Sequence, residues 1–430
     1  MRRRLAGLRD RGVRPAAGSG ADPLQGASLG RLFIAISLPL SAGAALNQLN
    51  RAITAVIGPD LADAFALSAS DLGLMGAVLF AAYALAQLPV GAALDRYGPR
   101  RVQAVLMLVI AAGALVFAAA QGLMMLLAGR VLLGIGIAAA LMSQLKATRQ
   151  WFPPARIATV TGWAIALSSL GGILATVPAE WAAGSFGWRG VFVIVAGLAL
   201  AAAVWIWLQV PDVPAPASRG GLAGEIATLG RILRHPAFIR IVPSIILLSV
   251  LNFTWQGLWL GPWLRDVAGL DGPARAWMLL VYALGFTAGS FCSGIVQAWL
   301  VAAGAHPLSM IIGCTLGTIS LHLAFAFDLG LPLWFGWALW PFLASVGPVG
   351  YTLVSARFPA AETGRVSTAI NAVMLALVFA EQQGIGLILD LWPRTETGGW
   401  DPRGYSAALL ISAGLQVAGL AWLWLRREDA

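Results

Sequence analysis

Gly91-Ala92-Ala93-Leu94-Asp95-Arg96-Tyr97-Gly98-Pro99-Arg100-Arg101 is a short charged segment between two long apolar runs, 72–92 and 102–121. A run of about 20 apolar residues is long enough for a helix to cross a bilayer. Gly98 gives the backbone freedom for a tight turn between two such helices. Gly91 is small enough to let helices approach closely. Asp95, at the end of the first helix, can pair with an arginine or with the positive end of a neighbouring helix dipole. Arg96, Arg100 and Arg101 resist translocation, which places this turn on the cytoplasmic side. The segment reads as a hairpin of two spanning helices joined by a charged cytoplasmic turn.

The rest of the chain agrees. Of its 430 residues, 59% are hydrophobic and 11% are charged, against roughly 25% charged in an average soluble domain. A soluble core cannot hide that much apolar surface, so the fold class is an all-α polytopic membrane protein. Disorder and a coiled coil fail on the same arithmetic. Cys292 and Cys314, the only cysteines, exclude a disulfide scaffold and read as small buried thiols in apolar runs. The net charge of +9 does not indicate nucleic acid, because Lys146 is the sole lysine and the arginines cluster between apolar segments. The arginines at positions 2, 3, 4, 9, 11 and 14 precede a polar, Gly-rich stretch and not a short apolar core, so no cleavable signal is expected.

Twelve apolar stretches follow along the chain: 31–57, 72–92, 102–121, 124–147, 158–181, 189–210, 240–263, 276–298, 307–327, 332–354, 367–391 and 405–425. The longest polar interval separates the sixth from the seventh and is rich in Pro and Gly, a linker composition. The expected organisation is a basic cytoplasmic tail (1–30), a six-helix bundle (31–210), a central cytoplasmic linker (211–238), a second six-helix bundle (239–425) and a short tail (426–430). Arginines concentrate in alternate loops, which puts both termini in the cytoplasm and the chain in the inner (plasma) membrane. The halves echo each other. Phe152-Pro153-Pro154-Ala155 recurs as Phe358-Pro359-Ala360-Ala361, and Gly58-Pro59 as Gly261-Pro262. Parallel six-helix repeats suit alternating access.

The Gly91–Arg101 segment resembles the signature loop of the major facilitator superfamily. Gly129-Arg130-Val131-Leu132-Leu133-Gly134-Ile135-Gly136 resembles the family's Arg-and-Gly stretch in the fourth span. Gly187-Trp188-Arg189-Gly190-Val191-Phe192 resembles its entry to the sixth. The resemblance covers nearly the whole chain. It implies two pseudo-symmetric six-helix bundles, secondary transport of a small-molecule substrate, and a latching role for Gly91, Asp95, Arg96, Gly98, Arg100 and Arg101. It points to the organic-anion and sugar-phosphate branch. Two departures stand out. The second signature loop is degenerate, reading Gly294-Ile295-Val296-Gln297-Ala298-Trp299 without acid or arginine, and the fifth span lacks the Gly-Pro pattern of drug/proton antiporters.

Ionisable groups inside a span are costly, about 2.5–3.5 kcal/mol at the centre, and mark function by default. Asn47, Asn50 and Arg51 share a face of the first span at spacings of three and four, a stripe suited to an anion. Snorkelling of Arg51 to the outer surface is the plainer alternative. Arg130 in the fourth span is implied in structure or proton coupling. Lys146 lies sixteen residues on, about 24 Å along a helix, and reads as an inner-vestibule charge. Glu381 lies near the middle of the eleventh span on a stripe with Asn371, Met374 and Val378. It is a candidate for substrate contact or for carrying a proton, with permanent ion pairing as the alternative. Asn252, Trp255, Gln256 and Trp259 share a face of the seventh span, where Trp255 and Gln256 suit a cavity for a polar ligand with an apolar body.

No phosphate-cradling Gly-x-x-x-x-Gly-Lys loop is present, the histidines lack metal-ligand spacing, and no nucleophile-and-base grouping stands out. No enzyme, cofactor or metal is expected. The expected function is secondary transport of a small organic anion by a monomer, coupled to protons or to exchange. The alternatives are a proton-coupled exporter of amphipathic compounds and a non-transporting membrane receptor.

Overall fold

In a bilayer every backbone N–H and C=O must be satisfied within the chain, which leaves helices as the economical solution for apolar runs. The computed structural model describes residues 28–212, 222–306, 308–359, 362–396 and 398–425, and among them the regular structure is helical throughout. The expected tails, 1–30 and 426–430, lie outside the described residues except for 28–30, as does 213–221 of the linker. Ten of the described helices are long and apolar enough to span a membrane. One of them, Ala69–Ala118, is two helices joined at Gly98, whose φ of 77° is the left-handed value an L side chain resists. A shorter apolar helix brings the spans to twelve.

We label them α1 (Leu29–Phe65), α2 (69–97), α3 (99–118), α4 (Leu123–Trp151), α5 (Ile157–Leu174, continued by 177–186), α6 (188–209), α7 (Pro236–Asp266), α8 (Gly272–Ala302), α9 (Ser309–Ala326), α10 (Leu333–Ser355), α11 (Thr363–Leu389) and α12 (Pro402–Leu425). Gly187, with φ 69°, makes the turn from α5 to α6 as Gly98 does from α2 to α3. Each starts where the composition placed it, within a few residues. The linker departs from its expected character, because residues Leu222–Leu233 form a helix.

The spans are not all regular. α4 loosens at residues 137–139 and α10 at 345–346, matched points in the two repeats, and α1 and α7 each contain one π-helical turn, Phe33–Ser37 and Trp255–Trp259. A loosened turn frees carbonyls that hydrocarbon cannot satisfy. Asn47 answers one of them, its Nδ2 donating to Ile137 O at 3.0 Å.

Across the halves, α1 packs on α7, α2 on α11 and α5 on α8. The seam is tight at the end away from the linker. Gly261 lies so close to α1 that a methyl group there would run into the Ala55 carbonyl. Asp390, at the end of α11, accepts from the free N–H groups of Ala69 (2.9 Å) and Ser70 (3.0 Å) that open α2. A carboxylate meeting the positive pole of a helix in the other bundle is a favourable closure. Arg394 adds a hydrogen bond to Leu67 O, and Arg265 reaches Asp63 at 3.3 Å. At the linker end, ion pairs among the described residues join Asp95 to Lys146, Arg101 to Asp212 and Arg231 to Glu362. The first lies within the first half, the second ties α3 to the start of the linker, and the third ties the linker helix to the start of α11. The chain is thus sealed at the far end.

The outer faces of the bundles carry large exposed apolar side chains, Leu85, Phe291, Ile295 and Trp299 among them, as lipid contact requires. Cys292 belongs to that exposed set and Cys314 is half-buried, so the expectation of two buried thiols is corrected for both.

Candidate functional site

Arg51 sits about halfway along α1 with its guanidinium inside a cage of rings from both bundles. Its central carbon lies 4.0 Å from the Phe253 ring, 5.5 Å from Phe80 and 5.9 Å from Tyr83. Aromatic faces attract a guanidinium, but they leave its N–H edges free. Nη1 makes a long bond of 3.4 Å to Gln48 Oε1, while Nε and Nη2 are buried and make none. No carboxylate lies within ion-pair distance of Arg51 among the described residues. A buried cation with unused donors is costly, and an anion in the space beside it would relieve that cost with charge-assisted, bidentate bonds. Gln48, Gln256 and Gly257 line a small cavity against it. Tyr351 of α10 borders the same region, its hydroxyl directed to Met374 Sδ of α11 at 3.7 Å.

Gln382 of α11 closes the far side. Its side chain is fully buried with both amide atoms unpartnered. Gly76 of α2 and Gly257 of α7 make room for it, since a Cβ on either would stand 2.7 Å from Oε1 and 3.2 Å from Nε2 respectively. The backbone of Gln382 accepts from Trp259 Nε1 at 3.0 Å.

The residues singled out from sequence separate into distinct places. Arg51 and Gln256 meet in one cavity. Asn47 is buried beside it but bonds to the break in α4. Asn371 is half-buried on α11, one turn before Met374. Trp255 is corrected: it lies fully buried in the second bundle, its ring 5.7 Å from Trp337 and 5.5 Å from Trp340, and does not line the Arg51 cavity. Glu381 is one position before Gln382, hence about 100° round the helix, and accepts from Ser412 Oγ of α12 at 2.6 Å. The alternative for Glu381, a permanent ion pair, has no such partner among the described residues, neither Arg51 nor Arg130.

Arg130 is buried between α4, α3 and α1, donating to Asn50 O at 3.2 Å with Phe117 5.4 Å beneath it. This geometry lets Arg130 hold α1 to α4. Lys146 donates to Asp95 Oδ1 at 2.8 Å and to Leu94 O at 2.7 Å, which makes it a partner of the loop and not a separate vestibule charge. Arg101 Nε donates to Asp212 at 2.9 Å, Arg100 lies 5.0 Å over Trp207, and Arg96 lies 5.2 Å over Tyr97. Gly91 has open space where a side chain would be, so its expected close helix approach is corrected.

Sequence reading passed over Gln48, Phe80, Tyr83, Phe253, Tyr351 and Gln382 as site residues. A ring inside an apolar run carries no signal of its own. The amide of Gln382 did, as a polar group in mid-span beside the charged Glu381.

Comparison with known proteins completes the picture. The chain is 26% identical over 421 residues to a probable L-galactonate transporter of Escherichia coli (strain K12), covering 93% of this chain and 90% of that protein. It is 30% identical over 164 residues to a hexuronate transporter of Bacillus subtilis (strain 168). There the match spans only about two fifths of the relative's length, 38% of this chain and 39% of that one. Among solved structures, a bacterial homolog to the human lysosomal transporter Spinster, in an inward-facing and occupied conformation, superposes with a TM-score of 0.74. That superposition covers 94% of this chain and 97% of that one at 17% identity, and so speaks for the fold alone. The family model matches residues 40–380, and the chain belongs to the Major Facilitator Superfamily.

Proposed function

We propose that the chain moves a small organic anion of the sugar-acid class across the membrane by alternating access. The observation that carries this is Arg51, a cation in mid-bundle with two buried nitrogens unpartnered and no acid beside it among the described residues. A carboxylate supplies what it lacks. The surrounding carboxamides of Gln48 and Gln256 suit hydroxyl groups, and the rings of Phe80, Tyr83 and Phe253 suit the C–H faces of a sugar. The named substrates of the relatives, L-galactonate and hexuronates, have this chemistry.

Both termini and the linker face the cytoplasm in this reading, from the arginine-rich loops at that end. The seam at Gly261 and Asp390 then closes the outside. Coupling is to a proton or to exchange. Glu381, held by Ser412 away from the anion site, is the acid we assign to a proton if one moves. An exporter of amphipathic cations would be better served by an acid where Arg51 stands.

The test is uptake into proteoliposomes. Labelled galactonate or glucuronate should accumulate with wild type and not with Arg51→Ala, and neutral galactose should not compete. Binding without flux would make the chain a receptor. Uptake that survives Arg51→Ala would remove the anion site from its assigned place.

A further inference from the structure

On the outer face of the first bundle, α2, α3, α4 and α6 enclose an apolar groove of about 930 Å³ that opens sideways where lipid would be. Its floor and walls come from Val78, Ala81, Leu85, Pro89, Val105 and Val131. Leu85 is 80% exposed, so this face of α2 looks outward and not toward the seam. The groove is distinct from the Arg51 cavity, which shares none of its lining. Water does not reach such a place in a membrane, and hydrocarbon fills it because an empty apolar groove forfeits dispersion contacts.

The linker end of the groove is chemically different. Tyr97, Arg101 and Trp207 form its mouth. Arg100 stands over the Trp207 ring with a buried Nε that has no partner, and Arg96 stands over Tyr97. Neither Arg96 nor Arg100 has an acidic partner among the described residues, whereas Asp95 and Asp212, the nearby acids, are taken by Lys146 and Arg101. Aromatic rings fix the two guanidinium groups at the level where a headgroup lies. The corresponding loop of the second half, Gly294 to Trp299, has no arginine.

We propose that this groove holds an acyl chain of an anionic phospholipid whose phosphate is bound by Arg100 and Arg96. Charge complementarity selects the anionic headgroup, since a zwitterionic lipid would bring an ammonium beside uncompensated arginines. The bound lipid straddles the Gly98 bend and joins α2, a helix of the seam, to α6. The inference is independent of what Arg51 binds.

The experiment uses the full chain purified in detergent. Phosphatidylglycerol or phosphatidylcholine with identical acyl chains is added, and retained lipid is read by native mass spectrometry alongside the melting temperature. The expected result is preferential retention of phosphatidylglycerol with a larger rise in melting temperature. Arg96→Gln/Arg100→Gln should abolish the preference. Ala93→Trp, which fills the groove, should abolish retention while far-ultraviolet circular dichroism shows the helices intact. Equal retention of the two lipids by wild type overturns the headgroup assignment. So does a preference that survives the double glutamine variant, and undiminished retention by Ala93→Trp overturns the groove.

Discussion

Arg51 and Asp95 illustrate how differently two charges act in one fold. Arg51 is enclosed by rings, and its value lies in donors left unused. Arg51→Lys keeps the charge but loses the planar fork that grips a carboxylate at two points. We expect it to retain a weak galactonate-induced rise in melting temperature where Arg51→Ala shows none, a ranking that a thermal-shift titration checks directly. Asp95 is largely exposed, with a side chain 58% accessible, and its bond to Lys146 links α2 to α4 within one bundle. Exposed pairs stabilise by about 0.2–1 kcal/mol. A double-mutant cycle on Asp95→Ala and Lys146→Ala should therefore give a coupling energy in that range. Asp95→Ala should nonetheless cripple flux with folding intact, if the loop latches the cytoplasmic side when the bundles close there. Normal uptake by Asp95→Ala would leave the pair as simple helix packing.

At the scale of elements, the seam depends on helices that come unusually close. Gly261→Ala places a methyl group against the Ala55 carbonyl, an overpacking that costs roughly 1–3 kcal/mol. The expected outcome is a lower melting temperature and faster maleimide labelling, from the outside, of a cysteine introduced at Gln48 in a Cys292→Ser/Cys314→Ser background. Gln382→Leu should act oppositely. Its amide is buried without partners in the sealed form, a penalty of about 1–3 kcal/mol that water would relieve on opening. Replacing it by an apolar side chain of similar size should raise the melting temperature and slow transport, by up to about tenfold for each 1.4 kcal/mol. The positions of these helices were legible in the sequence because an apolar run of spanning length admits one structure in lipid. The bend at Gly98 was legible as well, since it stands between a charged stop and a new apolar run, whereas the one at Gly187 was not. Which way each helix faces was not. Trp255 and Gln256 are neighbours, yet one turns into a cluster of indoles and the other to the Arg51 cavity. Glu381 and Gln382 divide in the same way between α12 and the seam. Helical spacing gives a residue's angle relative to its neighbours, but the zero of that angle is set by the partner helices, which local sequence does not encode.

The whole molecule is two six-helix units sealed against each other at one end, with Asp390 of the second half capping α2 of the first. That cap should contribute to the balance between sealed and open forms. Asp390→Ala leaves two N–H groups of α2 without their carboxylate and should shift the population toward the form open at the far end, with labelling at position 48 faster from outside. Unchanged labelling would mean that the glycine contacts alone hold the closure. The tryptophans of the second half have a different consequence. Trp337 and Trp340 stack at 5.2 Å with an interplanar angle of 19°, Trp255 lies within 5.7 Å of both, and Trp263 is 5.0 Å from Trp337. Indoles held so near one another in fixed, chiral register couple their electronic transitions and pass excitation among themselves. One half of the protein therefore carries a built-in chromophore array, whose near-ultraviolet circular dichroism would report the melting of that half, with no dye attached and without waiting for the other half to follow.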